Sequence, residues 1–204
     1  MSNTTDSEKK MALFWQYLLA LEEDLIGLSR YIEFNIANYS TYSIELTRIY
    51  LSVCSEIDVV AKALSSILGH SNPKNIDHYR MVIMQGFPQF STLNIQIPRY
   101  SLDFTPWNSW GGTTQVNPNW WESYNNVKHH RDSHYPEANL ENVLNAVAGL
   151  IVVNLYYHKK EGLSQIPVMD VGFDSENISK LFLPIGFRRT QLVSGFSGWG
   201  GNVP

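Results

Sequence analysis

The sequence predicts a mainly α fold: a helical bundle of about five helices with small β-rich inserts. Three observations lead there. Apolar residues recur at spacings of three and four over long stretches, with capping residues or helix breakers near their ends. Alternation of apolar and polar residues is confined to short segments such as 93–97 and 102–104. The 204 residues, 44% hydrophobic and 13% aromatic, supply enough apolar side chain for one sizeable core. We read 1–204 as a single helical domain, with a strand-like insert at 87–116 and an irregular or β-rich C-terminal appendage at 163–204.

Thr5 and Glu8 have the spacing of a capping box and open the first helix. Phe14, Tyr17, Leu18, Leu21, Leu25, Leu28 and Ile32 make its stripe, with Glu22, Glu23 and Asp24 mostly off it. Asn35 to Tyr39 breaks the pattern. The second helix starts near Thr41 and runs to about Leu68, where Gly69 stops it. Its stripe is Leu46, Tyr50, Val53, Cys54, Ile57, Ala61, Leu64 and Leu68. Asp58 and Lys62 form an i, i+4 pair on one flank, read as a solvated salt bridge, and Glu56 borders the stripe on the other. Asn72-Pro73 opens a shorter third helix with Ile76, Tyr79 and Ile83 as its face. Leu93, Ile95 and Ile97, then Leu102 and Phe104, alternate as a hairpin would. Trp107, Trp110, Gly111 and Gly112 form the loop that follows.

Asn117 caps the fourth helix, with Pro118 at its first position. Trp120, Tyr124 and Val127 are its buried stripe. The same face continues to His130 and Arg131, which are expected to point towards neighbouring elements. Asp132 to Ala138 contains Pro136 and reads as a polar loop. Asn139 caps the fifth helix, amphipathic through Leu140, Val143, Leu144 and Val147, then apolar nearly all round to Tyr157. That pattern marks a central buried helix. The run is too short for a membrane span, and Asn154 interrupts it. Ile166, Val168, Val171 and Phe173 suggest a strand, Leu181–Ile185 and Gln191–Val193 further extended pieces. The glycine-rich 194–204 reads as a tail or as a strip laid on the bundle or a partner.

Composition narrows the function. A net charge of -4 argues against a broadly basic nucleic-acid surface and leaves room only for a local patch. The lone cysteine, Cys54, excludes an internal disulfide and a cysteine-based metal cluster, and it lies on an apolar helical face as a buried thiol. The N-terminal stretch is polar and then amphipathic, without the apolar core of a signal peptide, so a cytoplasmic location is expected and no membrane partner. No phosphate-cradling glycine loop, nucleophile elbow or zinc-protease motif occurs, and no cofactor is expected.

The residues able to do chemistry gather at the bend between the fourth and fifth helices. His129, His130, Arg131 and His134 form the one dense titratable cluster. A metal reading takes His130, His134 and Glu137 as ligands, but needs a helix through Pro136 and a defined geometry; no metal is expected. An anion reading sets Lys128, His130 and Arg131 against the exposed N–H groups at the start of the Asn139 helix. Arginine would grip a phosphate and histidine move a proton, as a metal-independent ribonuclease requires. A structural reading has these cations satisfying helix-end carbonyls and pairing with Glu56, Glu137 or Glu141. Asn142 faces the same site in the functional readings.

The segment Trp-Trp-Glu-Ser-Tyr-Asn-Asn-Val-Lys-His-His-Arg (120–131), then Ala-Asn-Leu-Glu-Asn-Val-Leu-Asn-Ala (138–146), resembles bacterial proteins of the HEPN-like type. Cys-Ser-Glu-Ile-Asp-Val-Val-Ala-Lys (54–62) is similar to the glutamate-bearing helix of those bundles. The resemblance covers the helical two-thirds of the chain. It implies an all-α bundle, homodimerisation, and roles in RNA cleavage, phage defence or toxin–antitoxin pairs. The family's nuclease signature sets its histidine further from the arginine than His134 stands from Arg131, so the catalytic pair does not carry over intact. On this reading His130 and Arg131 are the catalytic candidates. Lys128, His134, Asn139 and Asn142 would hold RNA or a nucleotide, with Glu56 and Tyr124 in support. The alternative is a non-catalytic helical interaction module, acting as a homodimer or with a protein partner. Glu56 is expected within salt-bridge reach of Lys128, His130 or Arg131, because the stripes they border would pack together.

Overall fold

The structure is a computed structural model that describes residues 6–112, 116–161 and 179–185. Within them are five α-helices, α1 (Asp6–Leu28), α2 (Ile44–Ile67), α3 (Ile76–Gly86), α4 (Asn119–His134) and α5 (Leu140–Lys160), and a small sheet. The fold class is the one the periodicity predicts. The capping box at Thr5, the strand expected at 166–173, the piece at 191–193 and the glycine-rich end lie outside the described residues.

The local signals explain most boundaries. Ser43 caps α2 by accepting from the Leu46 N–H (3.1 Å), and Gly69 ends the segment with φ +99°, which a side chain would strain. Asn75 caps α3 through the His78 N–H (3.1 Å), so α3 starts after the Asn72-Pro73 pair rather than at it. Pro118, not Asn117, occupies the cap position of α4, and the buried Asn117 Oδ1 has no partner among the described residues.

The start of α2 meets the start of α5, where Tyr42 pairs with Asn139. The two helices then run side by side in one direction. α1 runs the other way, its Trp15 beside His158 and its Asp24 bonded to Arg48 (2.8 Å). α5 is the central element: Ile151 and Leu155 are each 1% exposed. At 21 residues it is long and apolar enough to cross a membrane, contrary to the length argument, but 83% of its apolar window is buried inside the fold. The stripe of α1 holds at Phe14, Leu18, Leu21, Leu25 and Leu28, all buried, but Trp15 is buried where Tyr17 is expected, and Tyr17 is 44% exposed. The indole is the larger apolar body, and burying it sets the rotation of the helix.

The hairpin forms from β1 (Asn94–Ile97) and β2 (Leu102–Phe104), with Ile95 opposite Phe104. β3 (Leu183–Ile185) adds antiparallel to the other edge of β1. The two regions read as separate inserts thus share one sheet. The 179–185 segment is tied to α1 by Glu22, which is buried rather than off the stripe (2% exposed). Its carboxylate accepts from the Ser179 hydroxyl and from the N–H groups of Lys180 (3.2 Å) and Leu181 (2.8 Å). Helical periodicity reports which face is apolar, not what lies over the flank.

An aromatic cluster seats α4 on α5. Trp107, Trp110 and Phe90 pack together, and Trp107 meets Trp120 edge-on. Trp107 Nε1 donates to the Gly149 carbonyl (3.1 Å) and Trp120 Nε1 to that of Pro106 (2.8 Å). A Cβ at Gly149 would stand 3.1 Å from the Trp120 ring, which would have to give by a few tenths of an ångström to admit a side chain there.

Candidate functional site

α4 carries the candidate cluster, and its direction changes there. His130 has φ −140° and ψ 47°, outside the helical region, so the helical register does not continue from Val127 to Arg131. Lys128, His129, His130 and Arg131 are consequently all exposed, where the unbroken period would have turned His130 and Arg131 towards neighbouring elements. No carboxylate forms an ion pair with Lys128 or Arg131 among the described residues. Lys128 Nζ lies 5.4 Å from the Tyr124 ring centroid. The Tyr124 hydroxyl is pushed up by burial, and Lys128 only partly offsets that. The imidazoles of His129 and His130 stand 6.4 Å apart and those of His130 and His134 6.3 Å, centroid to centroid.

His134 turns the other way. Its Nδ1 meets Glu137 Oε1 at 2.5 Å, across the 3₁₀ turn Tyr135–Glu137 that holds Pro136. Asn126 Nδ2 donates to Glu137 Oε2 (3.0 Å), and Ser123 adds a further hydrogen bond. Burial raises the Glu137 carboxyl, but His134, Asn126 and Ser123 together outweigh it and hold the group below the usual carboxylate range. Ser123 and Asn126 were missed in the sequence, although 123, 126, 130 and 134 share one side of a regular helix.

The start of α5 is closed to ligands. The Leu140 N–H donates to the Thr41 carbonyl (2.9 Å), the Glu141 N–H to Tyr39 (3.2 Å) and the Val143 N–H to Asn139 (3.0 Å). The Asn142 N–H donates to Asn139 Oδ1 (3.0 Å). Every backbone donor the anion reading assigned to phosphate already has a partner. Asn139 Nδ2 is also used, on the Pro136 carbonyl (3.2 Å), and Asn142 Nδ2 on that of Glu137 (2.9 Å). These two asparagines build the bend; they do not present donors to a ligand.

The expected link from Glu56 is absent among the described residues. Arg48, Ser52 and Glu56 follow one ridge of α2, and Arg48 on that ridge bonds Asp24 of α1, so Glu56 lies on the side away from α4. Half-buried, its carboxyl is raised by burial alone. Asp58 occupies the α3 and α4 side instead, where it accepts from the Tyr79 hydroxyl (3.0 Å) and its charge is felt at Tyr124. The expected Asp58–Lys62 bridge is not formed among the described residues. Tyr50, also buried, donates to the Trp120 carbonyl and pins α4 to α2. Cys54 beside it is fully buried, and burial pushes its thiol up, as suits an inert core residue.

Among the described residues no three His, Cys, Asp or Glu side chains come together as a metal-ligand set. A shallow recess lined by Phe87, Pro88, Tyr156 and Lys159 lies at the other end of α5, away from the cluster. The arrangement at the bend therefore offers an open ridge of four side chains, Lys128 and Arg131 its two fixed cations, beside one carboxylate-anchored imidazole. No protein-family description, curated protein or solved structure matches the chain.

Proposed function

We propose that the protein binds RNA through the Lys128–Arg131 ridge and acts as a non-catalytic interaction module of HEPN-like type. One observation carries this reading: the ridge is exposed, and neither Lys128 nor Arg131 has a carboxylate partner among the described residues. Lysine and arginine free in this way release counterions when they meet phosphates, which supplies sequence-independent affinity. The open setting lacks the backbone donors that would stabilise a transition state, because those at α5 are occupied.

A ribonuclease reading retains one observation of its own. His134, anchored on Glu137, has its Nε2 left for chemistry, and His130 stands 6.3 Å away. One imidazole would take the 2′-hydroxyl proton as that oxygen attacks phosphorus. The other, protonated, would give a proton to the departing 5′-oxygen, leaving a 2′,3′-cyclic phosphate.

The test is a titration of labelled single-stranded RNA in chelator, followed by electrophoresis of the same samples. Binding without cleavage, weakened by Lys128→Ala and Arg131→Ala, is the expected result. Cleavage that His130→Ala abolishes would replace the binding module by the enzyme. Absence of binding at low salt would end both readings.

A further inference from the structure

We infer that Tyr42 and Tyr135 form a base-stacking subsite beside the cationic ridge, so that the bound strand is read at its bases as well as its phosphates. This rests on the RNA-binding reading above and adds to it a contact with unpaired bases of any identity.

The two rings come from distant parts of the chain, yet their centroids lie 5.1 Å apart at 81°. Tyr135 directly follows His134 in the chain, and the His134 ring stands 6.3 Å from that of His130 on the ridge. Tyr42 is held from the other side. Residues 39–42 are fixed to the first turn of α5 by Leu140 N–H to Thr41 (2.9 Å), Glu141 N–H to Tyr39 (3.2 Å) and the Tyr42–Asn139 pairing. The ring is therefore mounted on ordered backbone, which lowers the entropy lost when a ligand stacks on it.

Core packing does not account for the pair. Trp15, Trp107, Trp110, Trp120 and Trp121 are buried and out of reach of a ligand. Tyr42, by contrast, keeps 46% of its surface exposed. An edge-to-face contact covers one face of one ring and leaves π surface for a planar base. Aromatic faces next to lysine and arginine are the combination that binds unpaired nucleotides: the cations follow the backbone, and each ring accepts a base of any identity.

The experiment compares a labelled 12-nucleotide single-stranded RNA with an abasic ribose-phosphate oligomer of equal length, by fluorescence anisotropy on the full chain. The wild-type protein should bind the base-bearing strand about tenfold tighter. Tyr42→Leu and Tyr135→Leu should each bring the two ligands within about threefold, and Tyr42→Trp should keep the preference. Lys128→Ala should weaken both ligands alike. Equal wild-type affinity for the two oligomers overturns the subsite while leaving phosphate binding intact, and it needs no variant to fold. A base preference that survives both leucine substitutions also overturns it. Failure to bind either oligomer ends the underlying reading together with this one.

Discussion

The last turns of α4 and the first turn of α5 are neighbours in the chain and opposite in state. At α5 every early N–H has a protein acceptor, Asn139 uses both sides of its amide, and the Asn142 amide donates to the Glu137 carbonyl. On α4 the residues from Lys128 to Arg131 project into solvent. The difference teaches that a helix start is an anion site only if tertiary neighbours leave its donors free. Here the 39–42 segment takes those of Leu140 and Glu141, and Asn139 takes those of Asn142 and Val143. Binding capacity passes to exposed side chains of α4, where Lys128 and Arg131 have no carboxylate partner among the described residues.

Closed polar groups should be costly to disturb and open ones cheap, and that expectation ranks the tests. The largest effect concerns His158, 5% exposed, with both ring nitrogens unpartnered among the described residues. Burial lowers its pKa from 6.5 to about 4. The unfolded chain therefore takes the proton first, so the stabilisation is complete above about pH 6.5 and declines as pH falls towards 4. Up to about 3 kcal/mol is lost by pH 4 through this group. Melting curves of wild type and His158→Phe should lie closest at pH 7 and separate on acidification, the wild type falling further; parallel pH profiles would show that His158 is not buried neutral.

Glu22→Ala leaves the N–H groups of Lys180 and Leu181 without their acceptor. A loss of about 2–3 kcal/mol is expected in urea unfolding. A loss below about 0.5 kcal/mol would mean that 179–185 is not anchored on α1. Asn139→Ala, which strips the cap from α5, should cost about 1 kcal/mol.

Glu56 and Asp58 of α2 differ in what they touch, and their replacements should differ accordingly. Asp58→Ala should cost about 1 kcal/mol through the Tyr79 hydrogen bond. Glu56→Gln should be neutral or slightly stabilising at pH 7, because burial without a partner disfavours the charge. A larger loss for Glu56→Gln than for Asp58→Ala would restore the link to α4. On the open side, Lys128→Ala and Arg131→Ala should change stability by under about 0.5 kcal/mol. Each should nonetheless flatten the salt dependence of RNA binding by about 0.7 in log–log slope. Large stability losses here would show the ridge to be part of the scaffold.

The sequence by itself determined what depends on neighbours along the chain. The stripe of α2 from Leu46 to Leu64, the Asn139 cap, the Gly69 stop and the β1–β2 alternation were all legible, because period and capping are local physics. The burial of α5 followed from its lack of a polar face. Tertiary structure alone decided the rest. Whether Glu56 or Asp58 faces α4 depends on the roll of α2 against α1, which the Arg48–Asp24 bond reports. Whether Glu22 is buried depends on a segment more than 150 residues away. The exposure of His130 and Arg131 turns on one non-helical residue at the end of α4, where the chain must bend back to deliver Asn139 to Tyr42. A helical period fixes side chains relative to their own axis; only packing against a second axis fixes them relative to a site.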